Sequence, residues 1–457
     1  MTNQEWKERD LAVLWHPCTQ MKDHEKLPMI PIKRGKGVWL EDFEGKQYLD
    51  AISSWWVNIF GHSNAHINAA VSQQMSELEH VLLAGFTHEP VIRLSEKLVE
   101  ITPPALTRCF YTDNGSSAVE VALKMSFHYW LNKEKQDGTF SKKPKRTKFI
   151  NLSNSYHGET LGALAVGDVS LYKETYEPLL MHPITVPSPD SYGREAGESE
   201  ADYAIRQFAE MEKALEQHAG EVCAVIIEPL VQVAGNVRMY DPVYLKMLRK
   251  ACDEHNVLFI ADEVAVGFGR TGTLFACEQA DISPDFLCLS KGITGGYLPL
   301  AVVLTTDTVY QLFYDDYENL TAFLHSHSYT GNALGCSAAL ATMELFEQRD
   351  VMQDNRVLAK HMADSVAELV DHPHISDVRQ CGMIVAMEMV KDKANKSAYA
   401  WQERRGLKVY EHALANGVLL RPLGNVVYFM PPYVINEDEI TLMAKVARDG
   451  IALATKT

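Results

Sequence analysis

Three short apolar runs constrain what this chain can fold into more than any other feature. They are CAVIIEP (223–229), VLFIADEV (257–264) and DFLCLS (285–290), unbroken and rich in large aliphatic residues. A strand with one wet face alternates apolar and polar side chains, whereas a strand covered on both faces does not. Between the first two runs, DPVYLKMLRKACDEHN has helical spacing. Leu245, Leu248 and Cys252 share one face, Pro242 suits the first helical position, and Asp241 stands where a cap belongs. Earlier, RCFYTDN (108–114) runs into the helical pattern SSAVEVALKMSFHYWLN, and RTKFINLSNSY (146–156) gives a further strand and loop. Buried strands separated by helices predict an α/β fold whose mostly parallel sheet lies between helices.

The ends of the chain read differently. Residues 30–50 form a pattern of short strands with glycine turns. Residues 346–457 mix helices with short strands such as GMIVAMEMV and NVVYFMPP. The expected organisation of the 457 residues is therefore a large domain over 70–340 and a smaller α+β domain from both termini, 1–69 and 341–457. With 43 basic against 60 acidic residues the formal charge is −17, which opposes binding to nucleic acid or to an anionic membrane surface. The basic cluster SKKPKRTK (141–148) reads as a solvated loop beside a turn. Eight cysteines are scattered without a CxxC pair or zinc-type spacing, which suits a reducing cytoplasm and predicts no metal site. The opening MTNQEWKERDLAVLW carries acids and no long apolar core, so no signal peptide is expected. No apolar run is long enough to cross a bilayer, and small-molecule substrates are the expected partners.

Open α/β sheets bind ligands beyond the carboxyl ends of their strands. Those ends carry Asn114-Gly115-Ser116-Ser117, then Glu228, then Asp262 and Glu263, then Ser290-Lys291. Gly115-Ser116-Ser117 opens a helix, where free amides and the helix dipole favour an anion such as a phosphate. Taken alone, that loop is a plain N-cap and Lys291 an ordinary surface charge. Asp262 sits inside an apolar strand and calls for a cationic partner there. A protonated pyridine nitrogen is such a partner, and a buried lysine loses its proton readily enough to bond an aldehyde. Phosphate loop, aspartate and lysine are together what pyridoxal phosphate needs. The later GFGRTG (267–272) lacks the spacing of a P-loop or of a dinucleotide fold.

At these residues the chain resembles a known family. AVIIEP, LFIADEVAVGFGRTG, PDFLCLSKGITGG and HSHSYTGNALG are similar, in that order, to the motifs of class III aminotransferases, which have the fold type I of pyridoxal-phosphate transferases. The resemblance covers nearly the whole chain. It implies that Lys291 holds the cofactor aldehyde, Asp262 pairs with the pyridine nitrogen, and Gly115 and Ser116 bind the phosphate. It further implies that Tyr156 in SYHG stacks on the ring, with His157 and Gly158 shaping that loop. The HSHSYTGN segment would reach the phosphate of a partner subunit, which implies a homodimer; Ser328 stands where the family often has threonine.

LWHPCTQM, SSWWVNIFGH, GFTHEP and YFMPPY resemble one branch of the family, and imply transfer of an amino group to 8-amino-7-oxononanoate in biotin biosynthesis. Trp55 and Trp56 would wall the substrate pocket, Arg421 would receive a substrate carboxylate, and Arg270 and Tyr428 would complete it. Trp55 and Trp56 also fit plain core packing, and Arg421 a surface ion pair. Cys18 stands where members that use S-adenosylmethionine have tyrosine, and other relatives use lysine as donor. The tryptophan pair favours S-adenosylmethionine, through attraction of its sulfonium to an aromatic face. Other class III enzymes acting on ω-amino acids are the alternative.

Overall fold

The computed structural model describes every residue except Pro28, Lys142 and Thr457. Lys142 belongs to the basic cluster expected as a loop and lies outside the described residues. The chain divides into two compact units, 69–352 and 1–68 with 353–457.

The larger unit is built on a seven-stranded sheet. Its strands are β1 (Leu106–Thr112), β2 (Lys148–Leu152), β3 (Ile184–Val186), β4 (Val222–Ile227), β5 (Leu258–Asp262), β6 (Phe286–Leu289) and β7 (Ala301–Thr306). They lie in the order β1-β7-β6-β5-β4-β2-β3. β7 runs antiparallel to both of its neighbours, and the other pairs are parallel. Every residue of β4, β5 and β6 is buried, as the unbroken apolar runs require.

The larger unit's main helices are α1 (Glu89–Ile101), α2 (Gly115–Gln136), α3 (Glu200–His218), α4 (Val243–His255) and α5 (Ala333–Gln348). α2 lies across the sheet, and Ala118, Val119, Ala122 and Met125 meet alternate residues of the strands: Ala224 and Ile226, Ile260, Phe286 and Cys288, and Val303. The intervening residues Val225, Ile227, Phe259, Ala261 and Leu287 are also buried, and α4 packs against β5 and α3. α5 spans the expected break at 340 and stays with the larger unit because it packs along α1.

Two local expectations need correction. α4 starts at Val243, with Pro242 rather than Asp241 as its N-cap residue. Asp241 still serves the helix start, since its Oδ1 accepts the Val243 N–H at 2.8 Å. The link from β5 to β6 holds only a 3-10 turn, Ala276–Ala280, where a full helix was expected.

The smaller unit has two sheets. Ile32–Lys36, Trp39–Asp42 and Gln47–Asp50 form an antiparallel meander, and Val418–Leu419 adds to it in parallel. Ile384–Asp392 pairs antiparallel with Ile375–Cys381 and with Val426–Phe429. The last helix, Glu437–Thr455, opens with Asn436 and Glu439 capping each other's amides and packs on Arg405–Ala415. Among the described residues no helix is long and apolar enough to cross a membrane.

Candidate active site

The register of the sheet lines up the ends of three adjacent strands. Ala261 stands beside Ile227, and Asp262 beside Cys288. Glu228 follows β4 at once, Asp262 is the last residue of β5, and Lys291 comes two residues after β6. Lys291 begins a 3-10 turn with φ +45°, and the φ of Gly295 and Gly296 is also positive, so the chain doubles back sharply behind it.

Lys291 is partly buried, and its amine is held below the ordinary value of 10.5 by loss of solvation. The fields of Asp262 and Glu228 act the other way and do not restore it. Asp262 is 5% exposed. Its Oδ2 lies 2.8 Å from Nδ1 of the buried His157, and its Oδ1 accepts the Val264 amide at 3.1 Å. Glu228 accepts the Tyr156 amide at 2.9 Å and the Val233 amide at 3.2 Å. Burial raises its carboxyl well above the usual range, against those two amides and Lys291.

Glu263 does not join the rim, contrary to the expectation that three carboxylates would share it. Its two oxygens accept the amides of Ala276 at 2.7 Å and Cys277 at 2.9 Å, because successive strand residues point to opposite sides. Its burial pushes the carboxyl up to about 7, which the two amides only partly offset.

The loop expected to hold the phosphate forms at the start of α2. The Asn114 side chain caps the helix through the Ser117 amide at 2.9 Å, and the first amides of α2 have no partner within the helix. The loop after Tyr156 closes on this terminus. The Glu159 amide reaches Ser116 Oγ at 3.2 Å. Gly158 has φ +126°, and a Cβ there would meet Ser116 Oγ at 2.1 Å. A Cβ at Gly115 would meet Val264 Cγ1 at 2.7 Å. Only bare backbone fits at these two positions, and it leaves a cradle lined by amides and a hydroxyl. Tyr156 donates its hydroxyl to Glu159 at 3.0 Å and meets Tyr172 edge-on. Arg270 is fully buried. Ser328 lies on an exposed turn, where its carbonyl meets His80 Nε2 at 2.7 Å.

In the smaller unit, a second group of expected residues comes together. Trp56 donates Nε1–H to the Tyr428 hydroxyl at 2.9 Å, and both are buried. The Arg421 guanidinium sits 3.8 Å from the centre of the Trp55 ring, and Trp55 is 40% exposed. Ser53, Ser54, Trp55 and Trp56 all have positive φ, between +47° and +73°, so four L-residues in a row form a left-handed turn. Such backbone costs about 1–2 kcal/mol per residue. Cys18 is exposed and also has positive φ, at +50°.

Reading from sequence missed three of these relations. His157 was placed only as a loop residue, yet it is the side chain that meets Asp262. Its adjacency to Tyr156 after a strand was the available signal. Neither the turn around Trp55 nor the stacking of Arg421 on it has a signature in residue spacing.

The aminotransferase class-III family matches residues 20–449, and the chain belongs to it. It is a pyridoxal-phosphate-dependent aminotransferase. The adenosylmethionine-8-amino-7-oxononanoate aminotransferase of Helicobacter pylori is 47% identical over 438 residues, which are 94% of each chain. The crystal structure of the enzyme of that name from Methanocaldococcus jannaschii superposes with a TM-score of 0.92 at 38% identity, over 99% of each chain. An omega transaminase from Pseudomonas jessenii, solved in complex with PMP, superposes with a TM-score of 0.91 at 30% identity, over 98% of each chain.

The residues at the rim fit the cofactor. An anion cradle of backbone amides and the Ser116 hydroxyl, a buried carboxylate and an amine with a lowered proton affinity all stand at the carboxyl ends of the strands of one sheet.

Proposed function

We propose that this enzyme transfers an amino group to 8-amino-7-oxononanoate to give 7,8-diaminononanoate, with S-adenosylmethionine as donor, in the cytoplasm. The observation that carries the reading is the near full-length similarity to the Helicobacter pylori enzyme, at 47% identity against 30% for the omega transaminase. The Trp55 face supports the donor, since it already receives a cation at 3.8 Å. A sulfonium uses the same attraction to the ring.

When bound, pyridoxal phosphate supplies an aldehyde for the amine and a ring that withdraws electrons from the carbon beside it. Lys291 holds the aldehyde between turnovers. Its Nζ, whose hold on a proton is weakened by burial, would take the proton from the amine-bearing carbon of the donor. With the cofactor bound, the same Nζ would carry the proton between substrate and cofactor in both halves of the reaction. Asp262 would pair with the ring nitrogen, and His157 fixes the orientation of that carboxylate. Gly115 and Ser116 bind the phosphate, with Ser328 of a second copy completing the contact in a homodimer. Tyr156 stacks on the ring. Trp55, Trp56, Arg270 and Tyr428 bind the substrates, Arg421 takes the carboxylate, and Cys18 borders the donor.

The test uses purified enzyme with cofactor and 8-amino-7-oxononanoate, given S-adenosylmethionine or lysine, with the diamine measured by mass spectrometry. Diamine from S-adenosylmethionine alone is expected. Product from lysine alone overturns the donor, and no product from either overturns the acceptor.

A further inference from the structure

The left-handed turn at Ser53–Trp56 is held from one side by a single buried carboxylate. Asp50 is fully buried. Its Oδ1 accepts the Ser54 amide at 2.9 Å and the Ile52 amide at 3.3 Å, and its Oδ2 accepts the Ser54 hydroxyl at 2.7 Å. Nε2 of His62 lies 3.0 Å from the same Oδ2. His62 is itself fixed, since its backbone exchanges hydrogen bonds with Gly37 at 2.7 and 3.0 Å. On the other side Ser53 donates its hydroxyl to the Met430 carbonyl at 2.7 Å. Within the turn the Trp56 amide bonds the Ile52 carbonyl at 2.8 Å, and the amides of Val57 and Asn58 bond the Ser53 carbonyl at 3.0 Å.

The backbone around Asp50 also reaches the strands that carry the other substrate residues. The Ala51 amide bonds the Leu419 carbonyl at 3.2 Å, two residues before Arg421. The Met430 amide bonds the Ala51 carbonyl at 2.9 Å, two residues after Tyr428. A conformation that L-residues disfavour therefore sits at the junction of Trp55, Trp56, Arg421 and Tyr428. No glycine relieves it.

We propose that Asp50, seated by His62, is a positioning residue that forces Ser53–Trp56 into the left-handed turn and so sets how Trp55 and Trp56 meet the substrate. It acts on the affinity for substrate through the tryptophans and touches neither substrate nor cofactor. The inference rests on the substrate role given to Trp55 above.

The experiment measures KM and kcat for 8-amino-7-oxononanoate in the holoenzyme. It compares Asp50→Asn, Trp55→Ala, their double variant, and Ser54→Ala. Ser54 is exposed, so its variant keeps the proposal testable if Asp50→Asn fails to fold. Asp50→Asn should raise KM about tenfold with kcat within about twofold, the size expected for loss of a charged hydrogen bond. Ser54→Ala should raise KM by a smaller factor. The near-ultraviolet circular dichroism of the indoles should change, while the long-wavelength absorbance of the cofactor should not. The effects should be less than additive in the double variant, because only Trp56 is then left for Asp50 to position.

Additive effects in the double variant, or an unchanged KM in both Asp50→Asn and Ser54→Ala, overturn the proposal. If Trp55→Ala itself leaves KM unchanged, the substrate role of Trp55 fails, and the inference fails with it for that separate reason.

Discussion

Glu263 makes the stability of the larger unit depend on pH in a direction that can be worked out. The perturbation is Glu263→Gln. The carboxyl is fully buried and titrates at about 7, against an ordinary 4.5 once the chain unfolds. A raised value means the folded state holds a proton that the unfolded state releases. Its stabilising contribution is therefore complete below 4.5, is lost as pH rises, and has gone once the pH passes about 7. At about 1.4 kcal/mol per pH unit, the loss across that window is about 3 kcal/mol. Glutamine cannot titrate. It also offers one acceptor where the Ala276 and Cys277 amides now meet two oxygens, so at acid pH, where the wild-type contribution is complete, it should cost about 1–3 kcal/mol. Urea unfolding of both proteins, at intervals from pH 4.5 to 8, gives the comparison. The wild-type lead should be greatest at acid pH and shift by about 3 kcal/mol towards pH 8, where it closes or reverses in favour of Glu263→Gln. A constant gap across the range would show that Glu263 is not the buried proton carrier described here.

Two further changes test the two units separately. Gly158→Ala puts a Cβ where Ser116 Oγ lies 2.1 Å away, at φ +126°, and should weaken cofactor binding about tenfold or more in equilibrium dialysis. Unchanged binding would mean that the loop after Tyr156 does not form the cradle. Arg421→Ala should raise KM for the carboxylate-bearing acceptor about 10- to 100-fold while leaving kcat nearly unchanged, since a uniform binding contact is removed. An unchanged KM would reassign Arg421 to its stacking on Trp55 alone.

The sheet was legible because burial on both faces leaves unbroken apolar runs, and β4, β5 and β6 fall on CAVIIEP, VLFIADEV and DFLCLS. The helix opening at Gly115 was legible because Asn114 is a strong cap. The rim was legible only in part. Spacing brought Glu228, Asp262 and Lys291 to neighbouring strand ends. It could not say that Glu263, one residue on, turns towards Ala276. The link between β5 and β6 holds no long helix because it contains the glycine-rich GFGRTG, where Gly269 and Gly272 have positive φ. The Asp50 network was illegible for a different reason. Positive φ in four L-residues contradicts local preference, and only contacts with His62 and Met430, distant in sequence, sustain it.

The account depends most on Lys291 as the residue that carries the cofactor. Borohydride reduction of the holoenzyme, followed by proteolysis and mass mapping, locates the bond directly. The added mass should fall on the peptide containing Lys291 and on no other, and it should vanish in Lys291→Ala together with turnover. Stoichiometric labelling of a different lysine, or a Lys291→Ala enzyme that keeps both the cofactor absorbance and full turnover, would contradict it.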